Sequence, residues 1–267
     1  MTIDLASVFG VANPQPLSYV ERKEVDRAFK AALTSPNAIV VYGASKQGKT
    51  ALVSRYVAYE NNAVVRLTPA TKLKDIYQSV LRQNGIQLEE SRTQASSSEG
   101  SAKIGIKWTA LIPLFGSGSA ETEGSTKAGR TRSSNHKRVP FNLELPQDIG
   151  EILRATKSKK IVILENFHYL SEENQKLFAF DLRTFQEMGV KFVVLGVWRE
   201  KNRMLQFNGD LVDRLTEIDV EPWIDPYLFM IAREGEKHLN TEFGLEFLRK
   251  CVKASFGSVG VFQEIMR

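Results

Sequence analysis

The segment from Gly43 to Thr50 restricts the possible folds of this chain more than any other feature. It reads Gly-Ala-Ser-Lys-Gln-Gly-Lys-Thr and matches the pattern G-x-x-x-x-G-K-[ST]. The apolar, mostly β-branched residues at 39–42 predict a buried strand before it, and residues 50–59 predict a helix after it. Such a turn between a strand and a helix is the unit that a phosphate site requires. The sequence therefore predicts that a nucleoside triphosphate binds here.

Each position of this loop has a physical role in such a site. Gly43 and Gly48 allow backbone torsions and a close approach that a side chain would obstruct, so that consecutive N–H groups can point at a phosphate. Lys49 places a cation near the β- and γ-phosphates, and the hydroxyl of Thr50 is a hard oxygen ligand suited to Mg²⁺. The expected ligands are ATP and Mg²⁺. The candidate binding residues of the loop are Gly43, Ala44, Ser45, Lys46, Gln47, Gly48, Lys49, Thr50 and Ala51.

The order of the remaining elements predicts the fold class. Strands are expected at 39–42, 63–67, 160–164, 191–197 and 217–220, with helices between them. This alternation predicts an α/β fold, a three-layer α/β/α P-loop NTPase core with a mostly parallel five-stranded sheet. Two prolines at 222 and 226 mark a boundary. We assign residues 1–225 to the core and 226–267 to a small C-terminal helical lid, which is either incomplete or of a shorter type.

Residues 91–138 interrupt this alternation. The segment is rich in Ser, Gly, Thr and charge, and only 104–114 is apolar enough to form part of a hairpin. Trp108 there could contact a partner or pack against the sheet. The basic residues of the segment have no acidic neighbour between them and could bind DNA, RNA or an acidic protein. They lack interleaved aromatics, which favours a solvated loop. These residues are Lys127, Arg130, Arg132, Lys137 and Arg138.

A carboxylate, Glu165, follows the strand at 160–164, where a site of this kind needs a second Mg²⁺-side oxygen. The stretch from Lys160 to Leu170 resembles the additional-strand P-loop ATPases of the AAA+ and STAND group. The resemblance implies that Glu165 holds the metal opposite Thr50. It also places Asn166 where many members have the carboxylate that activates water.

Asn166 is a departure from that pattern, because an amide orients a water molecule but does not accept its proton as a carboxylate does. We therefore expect slow hydrolysis and a nucleotide that acts mainly as a switch. The alternative is that Glu165 itself takes the catalytic role. His168 and Tyr169 could report on the γ-phosphate, but a packed, hydrogen-bonded histidine is favoured at this position.

Further segments carry the same resemblance at lower specificity. Residues 19–22 look like the element that cups the adenine, with a backbone contact at Val20; an ordinary helix start is an equal alternative. The strand at 192–199 takes the position of the sensor strand, which the resemblance expects to end in a polar residue. Val197 and Trp198 are apolar, so that Arg199 or Glu200 would have to act as the polar sensor. Residues 255–264 resemble the lid helix whose start faces the nucleotide.

Arg214 falls in a stretch, 210–215, that resembles the place where AAA+ proteins carry an arginine for the γ-phosphate of a neighbouring subunit. A guanidinium suits that role because it donates to phosphate oxygens in a fork. This interpretation makes Arg214 a catalytic candidate with Lys49, Glu165 and Asn166, and it implies an oligomer. The alternative is a surface salt bridge from Arg214 to Asp210 at i,i+4.

The expected function is an ATP-binding regulatory or assembly ATPase with slow turnover, which forms a homo-oligomer with ATP and acts on a possible protein effector. The resemblance implies settings such as mobile-element targeting or antiphage defence. One alternative is a DNA-binding loader of the transposition or replication-initiation type. A further alternative is a P-loop kinase, although no cluster at recognisable spacing supplies its acceptor pocket and base.

Composition limits the remaining classes. The net charge of +5 permits nucleic-acid binding without indicating it. Cys251, the single cysteine, excludes an intramolecular disulfide, and the start of the chain lacks the features of a secretory signal. The apolar runs are far shorter than the roughly 20 residues of a membrane span. We therefore expect a cytoplasmic protein without membrane segments.

Overall fold

The computed structural model of the protein describes residues 4–11, 15–96, 102–113, 136–198, 203–221 and 223–267. The strands in this part are β1 Ala38–Tyr42, β2 Ala63–Arg66, β3 Gln87–Ser96, β4 Ala102–Pro113, β5 His136–Phe141, β6 Val162–Glu165, β7 Phe192–Gly196 and β8 Leu215–Asp219. The helices are α1 Leu5–Val8, α2 Lys23–Thr34, α3 Lys49–Tyr56, α4 Leu73–Gln83, α5 Pro146–Ala155, α6 Glu172–Glu187, α7 Arg203–Phe207, α8 Asp225–Leu239, α9 Leu245–Ala254 and α10 Val259–Met266.

Five strands form a central sheet in the order β2-β6-β7-β1-β8, and every neighbouring pair is parallel. This confirms the predicted α/β fold. All five residues of β1 are buried, because β7 and β8 flank the strand and helices cover both faces. One strand, β7, separates β1, which leads into the phosphate loop, from β6, which ends at Glu165.

Each face of the sheet has its own apolar core, because successive side chains of a strand point to opposite faces. On β1, Val40 and Tyr42 belong to the cluster that includes α4, α5 and α6. Ile39 and Val41 belong to the cluster on the other face, which includes α2 and α3. The three layers thus hold the carboxyl ends of β1 and β6 rigidly at one edge of the sheet.

The segment at 91–138 contains more regular structure than the sequence predicts. β3, β4 and β5 form a separate antiparallel sheet in that order, and β3 begins before the segment, at Gln87. Ala110 and Ile112 are buried in the main core, and Trp108 packs against it. Of the two alternatives for Trp108, the structure thus shows packing and not a surface left for a partner. The sequence predicts a mostly irregular loop with part of a hairpin, and this is wrong where the chain forms β3, β4 and β5.

The basic residues of this segment divide into two groups. Lys127, Arg130 and Arg132 lie outside the described residues. Lys137 and Arg138 are exposed on β5, and Arg138 Nη2 lies 3.3 Å from Glu89 Oε1. Arg138 therefore has a carboxylate partner on β3 that the sequence spacing does not reveal.

The helices α8, α9 and α10 form a lid with its own apolar cluster, which includes Leu228, Leu248 and Phe262. Val8 and Phe9 belong to the same cluster, although the sequence assigns the beginning of the chain to the core. Val8 and Phe9 therefore pack with the helices of the predicted lid. No helix in the described ranges is long and apolar enough to cross a membrane.

Candidate nucleotide-binding site

The loop at 43–50 connects the carboxyl end of β1 to the start of α3. Gly43 has φ +141°, and a Cβ atom at this position would lie 2.7 Å from Val220 Cγ2, so that only glycine fits. Gly48 precedes α3 in the left-handed conformation, with φ 83°. The first N–H groups of a helix have no partners within the helix, so those of α3 are free to meet a phosphate at the loop.

Lys49 bonds to the backbone of its own loop. Its Nζ atom donates to the carbonyl oxygens of Gly43 at 2.8 Å and of Ala44 at 2.6 Å. Burial lowers the pKa of Lys49 to about 8, and the nearby carboxylate of Glu221 opposes this shift. Glu221 also accepts a hydrogen bond from the Ala44 N–H group. These carbonyl oxygens would compete with a phosphate for the three N–H donors of the ammonium group.

Glu165 meets Thr50 across the loop, as a shared metal site requires. Glu165 Oε1 accepts a hydrogen bond from Thr50 Oγ1 at 3.2 Å and another from the Tyr59 hydroxyl at 3.0 Å. Its Oε2 atom lies 3.1 Å from Nε of Arg66, the residue opposite it on β2. The structure thus brings the two predicted metal ligands together and adds Tyr59 and Arg66, which sequence reasoning missed. Burial, with the charge of Glu165, raises the pKa of Tyr59 well above its usual value, so the hydroxyl stays a donor.

Asn166 follows Glu165 in the left-handed conformation, with φ 61° and ψ 37°. Asparagine is one of the few residues that adopts this conformation readily. His168, in the 3₁₀ turn Phe167–Tyr169, uses Nδ1 to accept a hydrogen bond from the Val197 N–H group at 3.3 Å. Burial and the charge of Lys49 lower the pKa of His168. His168 is thus half-buried and hydrogen-bonded, as the favoured interpretation of the sequence predicts.

A cavity of about 300 Å³ lies between the loop, residues 10–22 and the lid. The predicted residues Val20, Ser45, Lys46, Gln47, Gly48, Lys49, Thr50, Ala51 and Asn166 line it. Gly43, Ala44 and Glu165 are not lining residues and instead bond to Lys49 or Thr50. Sequence reasoning did not find Gly10, Val11, Pro16, Trp223, Ile231 and Gln263, which also line the cavity. No local pattern marks these residues, because the lid and the segment before α2 meet only in the fold.

Arg22 connects the segment before α2 to the lid. Its guanidinium lies 3.9 Å from the centre of the Trp223 ring, and Nη1 donates to the Val220 carbonyl at 2.7 Å. Trp223 in turn donates from Nε1 to the carbonyl of Gln47 at 3.2 Å. Arg22 is buried and burial lowers its pKa, so stacking on the ring and the carbonyl contact replace part of its lost hydration. These contacts fix one wall of the cavity to the loop.

A buried carboxylate fixes the other end of this wall. Asp26 accepts hydrogen bonds from the hydroxyls of Tyr19 at 2.5 Å and Tyr56 at 2.8 Å, and from the Arg22 N–H group at 2.8 Å. Burial of the Tyr56 hydroxyl and its contact with Asp26 raise the pKa of Tyr56 to about 12. Both tyrosines therefore remain donors, and Val20 is held beside the loop between two anchored residues.

The lid touches the middle of the loop directly. Gln47 Nε2 donates to Ser258 Oγ at 3.2 Å, immediately before α10. A Cβ atom on Gly260 would lie 2.6 Å from Cβ and 2.7 Å from the carbonyl oxygen of Lys46, so the helix approaches the loop more closely than a side chain allows. Lys46 Nζ lies 3.9 Å from Glu264. The start of α10 therefore faces the loop, as the resemblance implies.

Arg214 lies away from this site. It precedes β8, whose pairing with β1 runs from Leu215 beside Ala38 to Asp219 beside Tyr42, and so it sits at the opposite edge of the sheet from the loop. Arg214 Nη1 is 3.4 Å from Glu187, and Asp210 pairs with Arg183 at 2.6 Å. The alternative interpretation of Arg214, an i,i+4 pair with Asp210, is wrong, because the 3₁₀ turn ends at Leu211. A role for Arg214 in a neighbouring subunit stays a prediction.

The sequence also predicts a sensor position at 197–200, after β7, and the structure describes only the first two of these residues. Val197 lines the cavity, and Trp198 is buried with its ring stacked on Tyr42 at 6.4 Å. Arg199 and Glu200 lie outside the described residues.

Comparison with known proteins supports the fold. No family model matches the chain, and no curated protein matches it either. Among solved structures, the chain is similar to the Walker-type ATPase PABY2304 of Pyrococcus abyssi, with a TM-score of 0.51 and 13% identity over 95% of this chain and 68% of that one. The chain has the fold of a P-loop NTPase core. At this identity the likeness concerns the fold alone.

Proposed function

We propose that this chain binds ATP with Mg²⁺ and acts as a regulatory or assembly ATPase of the AAA+/STAND type with slow turnover. The observation that carries the proposal is the contact of Thr50 with Glu165 at 3.2 Å, beside Lys49 and next to a cavity. The position of β7 between β1 and β6 fits the additional-strand group, and so does a helical lid that touches the loop.

The cavity offers partners to a nucleotide. Arg22 Nε and Gln47 Oε1 are buried and have no hydrogen-bond partner in the part of the chain that the structure describes, and both residues line the cavity. A buried polar atom left unpaired costs about 1–3 kcal/mol, so that a ligand that pairs with one recovers part of this cost. Val20, Trp223 and Ile231 add an apolar wall suited to a base. The loop N–H groups and Lys49 are suited to the phosphates.

The two oxygen ligands fit Mg²⁺, which prefers hard oxygens and usually keeps several water molecules. Thr50 and Glu165 would hold the ion, whose positive charge would offset the negative charge of the phosphates. Arg66 and Tyr59 hold Glu165 in place from the β2 side, at 3.1 and 3.0 Å. The carboxylate therefore loses little freedom when the ion binds.

The proposed slow turnover follows from Asn166. This side chain lines the cavity at the position next to Glu165, where it can orient a water molecule but not take its proton. General-base catalysis typically contributes about 10²–10⁴-fold to a rate. Without it, bound ATP persists and can act through the lid, whose helix α10 touches Lys46 and Gln47.

In this proposal the ATP-bound lid changes how copies of the chain, or a protein effector, pack against the core. Arg214 is the proposed contact to the neighbouring site, because its guanidinium is partly exposed at the far edge of the sheet and only one carboxylate, Glu187, pairs with it among the described residues. A setting in antiphage defence or mobile-element targeting is proposed by analogy alone.

The proposal is tested by measuring ATP binding, turnover and oligomer size for the parent, Lys49→Ala and Asn166→Glu proteins. Lys49→Ala should lose about 10–100-fold in ATP affinity, the usual cost of a hydrogen bond to a charged group. Lys250→Ala is the control, since this lysine is exposed on α9, pairs with Glu246 and does not line the cavity. Full affinity in Lys49→Ala would refute ATP binding at the loop.

Asn166→Glu tests the slow turnover. We expect hydrolysis to rise at least about tenfold, reduced by the strain of a glutamate in the left-handed conformation. Asn166→Asp keeps the shape of the side chain that can orient the water molecule and adds a carboxylate with less strain, so its turnover should rise as well. A parent that hydrolyses ATP as fast as Asn166→Glu would contradict the switch.

A further inference from the structure

A small pocket lies at the edge of the sheet opposite the phosphate loop. Residues that precede β6 and β7 line it, together with the last turn of α5 and the turn after α6. Its volume is about 80 Å³, several times the roughly 10–15 Å³ that a single water molecule needs, so a group of several atoms fits. None of the described residues that line it is acidic. The polar ones are Asn84, Arg154, Ser158, Lys159, Lys160 and Lys191.

Two of the four cations in this lining hold the fold together. Lys191 Nζ donates to the carbonyl oxygens of Ala32 at 2.7 Å and of Ser35 at 2.5 Å, at the end of α2. Lys160 Nζ donates to the carbonyl oxygen of Gln83 at 2.5 Å, at the end of α4. Carbonyl groups at the end of a helix carry partial negative charge and favour a cation there. The position of these two lysines is therefore explained by the structure itself.

The other two cations, Arg154 and Lys159, have no such role. Both residues are exposed, and in the part of the chain that the structure describes neither side chain donates to a carbonyl group or pairs with a carboxylate. Glu151, three residues before Arg154 on α5, accepts a hydrogen bond from Gln147 at 3.1 Å instead. The charges of Arg154 and Lys159 therefore remain available to an anion in the pocket.

Unpaired positive charge continues outside the pocket. Lys157, two residues before Lys159, and Arg82, next to the residue whose carbonyl holds Lys160, are both exposed. Neither has a carboxylate partner among the described residues. A single small anion would use the pocket alone, whereas a chain of phosphates can contact the pocket and the flanking cations together. This extension favours a nucleic acid over a free phosphate ion.

We propose that this edge of the sheet binds the phosphate backbone of a nucleic acid, with Arg154 and Lys159 on a phosphate at the pocket and Lys157 and Arg82 available to adjacent phosphates. Arginine, lysine and serine side chains commonly contact backbone phosphates, and such contacts carry no sequence information. No aromatic ring that could stack on a base is among the described lining residues. Binding should therefore be independent of sequence, and it does not require a nucleotide at the phosphate loop.

The test is the binding of a short fluorescein-labelled DNA duplex of arbitrary sequence, measured by anisotropy between about 50 and 200 mM salt. The affinity of the parent should fall as salt rises, because each phosphate contact releases counterions from the DNA. The double variant Arg154→Ala/Lys159→Ala should bind about tenfold more weakly at the lowest salt. Its plot of log affinity against log salt should be less steep by about 2, since each lost phosphate contact lowers the slope by about 1.

The matched control is Arg249→Ala/Lys253→Ala. It removes one arginine and one lysine from exposed positions of α9 in the lid, so the net charge changes by the same amount. This variant should keep the affinity and the salt slope of the parent. All four side chains are exposed, so the thermal unfolding temperature of both double variants should stay close to that of the parent and show that they are folded.

An equal loss of DNA affinity in both double variants would show that net charge alone matters and would overturn the site. A parent that binds no duplex at the lowest salt would overturn it too, as would binding that Arg154→Ala/Lys159→Ala leaves unchanged. Polyglutamate that displaces the duplex as well as unlabelled DNA does would assign the surface to an acidic protein instead. The proposed function is tested separately, because Arg154→Ala/Lys159→Ala should bind ATP with the affinity of the parent in calorimetry.

Discussion

The phosphate loop contacts the sheet core mainly through polar groups and contacts the lid mainly through close packing. On the core side, Thr50 donates from its hydroxyl to the carboxylate of Glu165 at 3.2 Å, and Lys49 donates from Nζ to the loop carbonyl of Ala44 at 2.6 Å. On the lid side, Lys46 and Gln47 meet α10 mainly through shape, because Gly260 leaves no space for a side chain. Lys46 and Glu264, the charged pair on that side, are 3.9 Å apart and largely exposed.

This difference suggests separate tasks for the two sides of the loop, binding on the core side and transmission of binding on the lid side. Charges and hard oxygens are suited to the proposed phosphates and metal ion, and such interactions depend on ionic state and on the metal. Close packing transmits a displacement, since packed interfaces adopt discrete arrangements and resist continuous deformation. The core side is therefore expected to control affinity, and the lid side to control what binding does to the rest of the molecule.

The largest effect expected on the core side is on the metal. Glu165→Gln keeps the shape of the side chain but removes the charge that faces Thr50. Loss of a partner behind a metal ligand typically costs about 10–100-fold in metal affinity, and loss of the charge of a ligand should cost at least as much. The Mg²⁺ concentration that half-saturates ATP binding should rise by that factor in a titration. Glu187→Gln, which removes the charge that pairs with Arg183 and Arg214 at the other edge of the sheet, is the control. An unchanged Mg²⁺ requirement would remove Glu165 from the metal site.

A smaller effect is expected from pH, and it also belongs to the core side. The pKa of Lys49 is about 8 in the free loop, and contact with phosphate anions raises it. Binding above pH 8 therefore takes up a proton, so that ATP affinity should be full below pH 8 and fall as pH rises, by at most about tenfold per pH unit. Calorimetry between pH 7 and about pH 9.5 measures this slope. Lys49→Ala, which has no ammonium group to titrate, should show a flat profile.

The smallest effect is expected on the lid side. Gly260→Ala places a Cβ atom 2.6 Å from Lys46 Cβ and should push α10 away from the loop. The cost is about 1 kcal/mol, the lower end of the range for overpacking, because the lid can shift; this is about fivefold in ATP affinity. Gly244→Ala is the matched control, since no atom lies within 4 Å of the added group. Equal affinities for both variants would show that the lid does not sense the loop.

The core side of the site could be predicted from the sequence because its signals are local. The phosphate loop is one short motif with a fully apolar strand before it, and α5 occupies 146–155 as its pattern predicts. Glu165 was identifiable since a carboxylate at a strand end is what a Mg²⁺ site needs. The contact of Glu165 with Tyr59 was not, because 106 residues separate the two in the chain.

The remaining misses have a similar cause. β3 is a polar segment whose strand structure comes from pairing with β4, and not from alternating apolar residues. The partner of Arg214, Glu187, belongs to α6 and not to the adjacent turn. Val8 and Phe9 carry no sign that they pack with helices more than 200 residues later. Pairing and packing between distant segments decided each of these features, and local patterns do not encode them.

The docking of Phe9 on α8 affects how a nucleotide would leave. A Cβ atom on Gly235 would lie 2.1 Å from Phe9 Cζ, so the two elements interlock. Gly10 and Val11, which line the cavity, follow Phe9 directly. A lid that swings away therefore carries part of the base pocket with it. Nucleotide exchange would then dismantle the pocket instead of uncovering an intact one, and a new nucleotide would have to rebuild its own binding wall.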